Sequence, residues 1–374
     1  MHPINAFNLK QAGLSLIELM IAMLVGLILI AGVLSIFLSS RQSYGINSAV
    51  AQIQEHGRFA LDFIRHDTRM AGYMGCGVSG VNFNNQLNSS TSLPYNFNNA
   101  LTGYEYSGTA PTATYVISGE NPAPVPAGNW SPVLDASLPV AGAAYAIPGS
   151  DVLAMTMTQN AGKPIYITNI PSPTAAVFDV NAPGLATGEL MVISNCVNTL
   201  VLQVTNVTGG GTTIDHNTGG AVTPGNSNKD VAQSFQGAQI GTGTAVAFFV
   251  GESADGSPAL FSATTDPSKA SGFDYQELVP GVESLQVLYG VDTTGSGTAS
   301  EYDTADVVNA NGYWGQVVSV RAALLLRSDT GAVTLPPAAV TYNLLGTVIQ
   351  APLDTRLRQV FTATIGIRNH LPNP

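Results

Sequence analysis

Hydrophobic and polar positions divide this chain into an oily rod followed by a long body of alternating strands. From Leu19 to Ser40 there is no charged residue and no proline. As a helix these 22 residues rise about 33 Å, enough to cross a hydrocarbon core of roughly 30 Å. Such a helix satisfies its own backbone hydrogen bonds, which a bilayer requires of anything that spans it. The pattern then changes without stopping. Ile46, Val50, Ile53, Gly57, Ala60 and Ile64 recur at helical spacing, while Arg41, Glu55, Arg58, Asp62, Arg65 and Arg69 occupy other faces. Glu55/Arg58 and Asp62/Arg65 are opposite charges three residues apart. The spacing predicts one helix from about Leu16 to about Ala71, spanning a membrane at about 19–40 and amphipathic thereafter. A break into two helices near Gly45 is the alternative. Ala71-Gly72 supplies the stop signal.

Beyond the helix the period falls to two. Residues 77 to about 150 are rich in Asn, Ser, Thr, Pro and Gly and predict a loop-rich surface excursion, with one strand at Ala113–Ile117. Pro122, Pro124 and Pro126 forbid regular structure locally. Asp151–Thr158 and Glu189–Val197 predict buried strands, the second carrying Cys196, with Leu200–Val207 pairing beside it. Thr208 to Gln233 predicts loop, and Ala245–Val250 and Ala259–Ala263 two apolar strands. In Leu285–Val291 the odd positions are apolar. In Val317–Arg327, Val318, Val320, Ala322, Leu324 and Leu326 share one face, and Ser319, Arg321 and Arg327 mark the other. In Arg358–Arg368, Phe361, Ala363, Ile365 and Ile367 alternate with polar residues. Period two with one polar face is the signature of an antiparallel sheet packed on one side. The expected fold class is α+β: a long N-terminal helix laid on an antiparallel sheet, with residues 72–374 forming a β-rich body.

Composition sharpens this. Charged residues make up 10% of the 374, far below the roughly 25% usual in soluble domains, which suits an extracytoplasmic β-rich protein. Net charge is −11, and beyond Met70 there are twenty acids against eight bases. That disfavours a general nucleic-acid-binding surface. Arg321, Arg327, Arg356, Arg358 and Arg368 are read as solvated strand positions. The two cysteines, Cys76 and Cys196, have no zinc or redox spacing. They are expected either as one disulfide, as is common outside the cytoplasm, or as two buried thiols.

Searches for chemistry return little. No G-x-S-x-G, Walker A, H-E-x-x-H or G-x-G-x-x-G motif occurs, and His2, His56, His66, His216 and His370 are scattered. No enzymatic activity, cofactor or metal is expected. The acids of Asp292–Asp306 surround glycines as some calcium loops do, but Thr294 and Ser296 stand where ligands belong, so a solvated hairpin loop is the preferred reading.

One acid stands out. Glu18 lies one turn into the oily run, where a charge costs on the order of 2.5–3.5 kcal/mol. Ser15-x-x-Glu18 fits a capping box; the other reading is that Glu18 meets a positive group on a neighbouring chain. In front lie thirteen residues with one lysine, Met1 to Gly13, ending Gln11-Ala12-Gly13. A secretory signal would place its cleavage site after the apolar run; this junction lies before it. The order "QAG, then LSLIELMIAMLVGLILIAGV" resembles a type IV prepilin. The resemblance implies that a prepilin peptidase cuts after Gly13, that Leu14 becomes the N-methylated terminus, and that Glu18, fifth after the cut, neutralises a neighbouring subunit's amine. Leu14 departs from the Phe usual in major pilins.

Arg69–Cys76, where a glycine-rich turn runs from helix to cysteine, resembles PilW-type minor pilins. So do "GVESLQVLYGVD", "VVSVRAALLLRS" and "RQVFTATIGIRNH". That resemblance implies a minor pilin that helps start a type IV pilus, sits at its tip, and works with other minor pilins, the major pilin and an inner-membrane assembly platform. It also places the leader in the cytoplasm and the body outside, first on the inner membrane and then on the pilus. A pseudopilin of a type II secretion system, or a single-pass surface binding module that keeps Met1, are the alternatives.

Overall fold

A computed structural model describes residues 15–76, 82–118, 122–142, 144–159, 162–219, 222–329 and 340–369. The leader 1–13 and the Gly13–Leu14 junction lie outside the described residues. The helix runs unbroken from Leu16 to Met70, so there is no break near Gly45. Its second half buries Ala49, Ile53, Gly57, Ala60, Leu61, Ile64 and Thr68. Val50, expected on that face, is 36% exposed, and Ala49 takes its place. Asp62 and Arg65 pair at 3.1 Å; Glu55 and Arg58 form no ion pair among the described residues.

The buried stripe lies on a four-stranded antiparallel sheet in the order Glu301–Asp303, Val282–Val291, Val317–Arg327, Arg358–Gly366. Gly57 is the closest approach: a Cβ there would come within 2.5 Å of the Phe361 ring. Ile53, Ala60 and Ile64 share one core with Leu285, Val287, Tyr289, Val320, Leu324 and Ile365. The odd positions of Leu285–Val291 thus face the core as their alternation requires.

The far face of Val317–Arg327 is not polar and open as expected. Ala323 and Leu325 are fully buried against Leu344 and Ile349. A small sheet of Thr341–Leu344, Thr347–Gln350 and Thr114–Val116 supplies that cover. Nor are its arginines all solvated. Arg358 grips Glu283 (Nε to Oε2 2.6 Å, Nη2 to Oε1 2.9 Å) and Asp354 (2.6 and 2.7 Å). Arg327 reaches the same Glu283 at 3.5 Å. Glu283, Arg327 and Arg358 side chains are only 2–3% exposed. Two-pronged geometry is what makes such burial tolerable, because every buried charge keeps close partners. Arg321 lies over the Tyr302 ring at 3.6 Å.

A larger, branched sheet grows around the 14-residue strand Gln239–Glu252. At about 3.3 Å per residue this strand outreaches any single neighbour. One edge pairs with Ile165–Asn169 and then Val152–Gln159; the other pairs with Leu190–Ser194 and then Pro258–Thr265. The expected surface excursion is partly interior. Asn82–Asn85, Leu101–Tyr106 and Trp130–Ser131 are strands, and Leu101, Tyr104, Tyr106, Trp130, Leu134 and Leu138 are buried. The expected loop 208–233 likewise holds the strand Thr213–Asp215, with Ile214 and His216 fully buried. His216 lies 5.0 Å from Phe178, and burial pulls its pKa down to about 4, so the ring is neutral.

Where the helix ends, Gly72 donates its N–H to Thr156 (2.8 Å) at φ +74°. Its missing Cβ matters, since one would lie 2.4 Å from the Asn369 carbonyl. Four residues on, Cys76 forms a disulfide with Cys196, 120 residues away in sequence. Cys196 is not in the strand, as expected, but in the turn between Leu190–Ser194 and Asn198–Gln203, at φ +67°.

Beside the outer edge of Val282–Val291, where Asp151 donates its N–H to the Leu285 carbonyl, Glu105 and Asp151 face each other, 5% and 2% exposed. Asp151 accepts N–H groups from Tyr106 (3.0 Å) and Val287 (2.9 Å), and Glu105 accepts from the Thr109 hydroxyl. Burial raises both carboxyl pKa values, and the Asp151 charge pushes Glu105 further. Burial thus holds each carboxyl toward its neutral form.

Both pKa values are raised, so the folded chain binds more protons than the unfolded one. The contribution is full below the ordinary carboxylate range and is lost as pH rises through the shifted values. Thermal unfolding across that range should therefore show a falling midpoint. Glu105→Gln, which is uncharged at every pH, should flatten the fall; equal slopes in both proteins would refute the raised carboxyl pKa values. Separately, Cys76→Ser or Cys196→Ser should lower stability by up to about 5 kcal/mol, the chain-entropy value for a loop this long. Denaturant titration in detergent checks it.

Candidate assembly surface

The feature left over by the fold is the first half of the helix. Its 18-residue apolar window has no residue buried within the protein. Leu16, Leu24, Ile28 and Phe37 are 78%, 61%, 64% and 61% exposed. An apolar surface this large has to be covered by lipid or by other helices. Gly26 and Gly32 point the same way, because a Cβ at either would meet nothing within 4 Å. This chain's own packing makes no use of their smallness, whereas close approach of a second helix would.

The helix begins at Ser15 with an intact capping box. Ser15 Oγ accepts the Glu18 N–H at 3.3 Å, and Glu18 Oε2 accepts the Ser15 N–H at 2.9 Å and its hydroxyl at 3.1 Å. The two readings of Glu18 are therefore compatible. One carboxylate oxygen serves the cap; among the described residues, Oε1 accepts nothing. Gly13 and Leu14, the expected cleavage and methylation positions, lie outside the described residues.

No other cluster competes with this surface. Among the described residues no group of three or more His, Cys, Asp or Glu could hold a metal ion. In the loop considered for calcium, Asp292 Oδ1 accepts N–H groups from Thr294 (3.1 Å) and Ser296 (3.0 Å), and Oδ2 accepts that of Gly297 (2.6 Å). The carboxylate is spent on holding the turn. Sequence reasoning missed the Glu105–Asp151 pair and the Glu283–Arg358 grip, since acids and arginines in strands read alike whether buried or solvated.

Two family models match the chain. The prokaryotic N-terminal methylation motif matches residues 8–34, and Type IV Pilus-assembly protein W matches residues 247–369. No curated protein and no solved structure matches. The first match covers the start of the exposed helix, and the second covers the sheet on which the helix lies. Pilins carrying this motif are structural components processed by prepilin peptidase and packed with other pilins. With one match at each end, the chain is consistent with a PilW-family type IV pilin, a minor pilin of the type IV pilus.

Proposed function

We propose that this minor pilin helps to start a type IV pilus and stays at or near its tip, entering the filament through its N-terminal helix. The observation that carries the reading is an apolar helix half covered by its own body and half left bare, with an acid at the bare end. Prepilin peptidase cuts after Gly13 and leaves Leu14 as the amino terminus, which is then methylated. In the bilayer the bare half is solvated by lipid, with the body on the extracytoplasmic side. As subunits leave the membrane, helix–helix contact replaces lipid, and Gly26 and Gly32 admit close neighbours.

Glu18 supplies the register. A buried or lipid-facing carboxylate is costly unless paired, and the amine of an adjacent subunit is a suitable partner. Because the cap uses Oε2, the open Oε1 can receive that amine without unwinding the first turn. The large body, with its deep sheets, suits a subunit present in few copies better than one repeated along the filament.

Mass spectrometry of the mature protein should find a chain beginning at methylated Leu14. Glu18→Ala should leave processing intact and reduce surface pili at least tenfold, counted by electron microscopy. Gly13→Ala should leave the leader attached. A mature chain that keeps Met1, together with normal piliation in both variants, would exclude the reading.

A further inference from the structure

The four-stranded sheet has one unprotected edge. Among the described residues Arg358–Gly366 pairs only with Val317–Arg327, in register and without a bulge. The ladder is bounded by Ser328 N–H to Leu357 O and Ile367 N–H to Val318 O, both 2.9 Å. That parity turns the odd residues toward the neighbouring strand and the even ones outward. The backbone groups of Val360, Thr362, Thr364 and Gly366 therefore face away from the sheet, and nothing among the described residues bonds them. Thr362, Thr364 and Gly366 are exposed.

Proteins ordinarily blunt such edges with short strands, charges, prolines or bulges. Elsewhere this one does. The opposite edge, Glu301–Asp303, is three residues long. The edge Phe273–Pro280 of the larger sheet carries Asp274, Glu277 and Pro280, and its ladder contains a bulge. Between Arg358 and Gly366 the sequence Gln-Val-Phe-Thr-Ala-Thr-Ile has none of these devices.

We infer that this edge takes an extended segment of another pilus subunit as an added strand. The inference rests on the pilin reading above, and the position of the helix chooses the occupant. The helix lies on this same strand, with Gly57 against Phe361, so a subunit packed along the helix is brought beside the open edge. The added strand hydrogen-bonds through its main chain. Its side chains alternate, apolar next to Phe361 and Ala363 on the helix side and hydrophilic next to Thr362 and Thr364. The edge offers no central charge, so an uncharged segment fits it best.

Amide hydrogen exchange on the full chain tests this in two states, in detergent-solubilised inner membranes and in sheared pili. The Thr362 and Thr364 amides should exchange freely in the first and at least tenfold more slowly in the second. Equal exchange in both overturns the proposal. Thr364→Pro removes an N–H that the neighbouring strand does not use, and Thr364→Ala keeps it. The first should cut recovery of the chain in sheared pili at least tenfold, with processing intact, and the second should not. Glu18→Ala separates the two readings. Loss with Glu18→Ala but not with Thr364→Pro overturns the edge alone; loss with neither overturns the pilin reading itself. A Thr362→Cys chain that cross-links only to its own copies overturns the choice of a different subunit.

Discussion

Everything in this chain follows from one mismatch: a 55-residue helix on a body that covers only its second half. From Ala49 onward the helix is an ordinary core element, its small residues admitting the Phe361 ring and its branched ones meeting Leu285 and Ile365. Before that, its 18-residue apolar window has no residue buried in the body. The hydrophobic effect, worth roughly 25 cal/mol per Å², therefore acts on the two halves in different settings. One half folds the protein, and the other commits it to a membrane or to a bundle of similar helices.

The interior meets a second demand, the burial of charge, in two ways. Around Glu283 it neutralises: each carboxylate oxygen has a guanidinium N–H, and Arg358 is shared with Asp354. Around Asp151 it brings two carboxyls together, and burial first, then their mutual repulsion, holds them toward the neutral form. The first arrangement ties the strands Val282–Val291 and Arg358–Gly366 across the strand between them. The second ties Leu101–Tyr106 to Val282–Val291 through the N–H of Val287. Both fix strand order by directional bonds where apolar packing alone would allow slippage.

Local signals in the sequence were reliable and remote ones were not. The helix, its cap at Ser15 and Glu18, and the strands 152–159, 190–194, 282–291, 317–327 and 358–366 all follow from period and composition. What failed depended on distant partners. Ala323 and Leu325 were legible as apolar, but their cover comes from residues 341–350 and 114–116. Residues 101–138 looked like surface because their aromatics are spaced among Asn, Ser and Thr without a period. Arg327 and Arg358 read as solvated because burial of a charge depends on a partner that periodicity does not name. The methylation motif matched at residues 8–34 was legible because a glycine, an acid and an oily run stand there in order. The bare edge at 360–366 was not, since being an edge is a property of strand order.

The disulfide has a mechanical meaning. The covalent path by which a pull on the N-terminal helix reaches the body runs through Ala71–Cys76. The bond at Cys76 passes that load directly to the turn at Cys196. Residues 77–195, between the two cysteines, are taken out of series with the pull. Stretching cannot pay them out as slack, and a reduced subunit would lengthen under forces that an oxidised one resists.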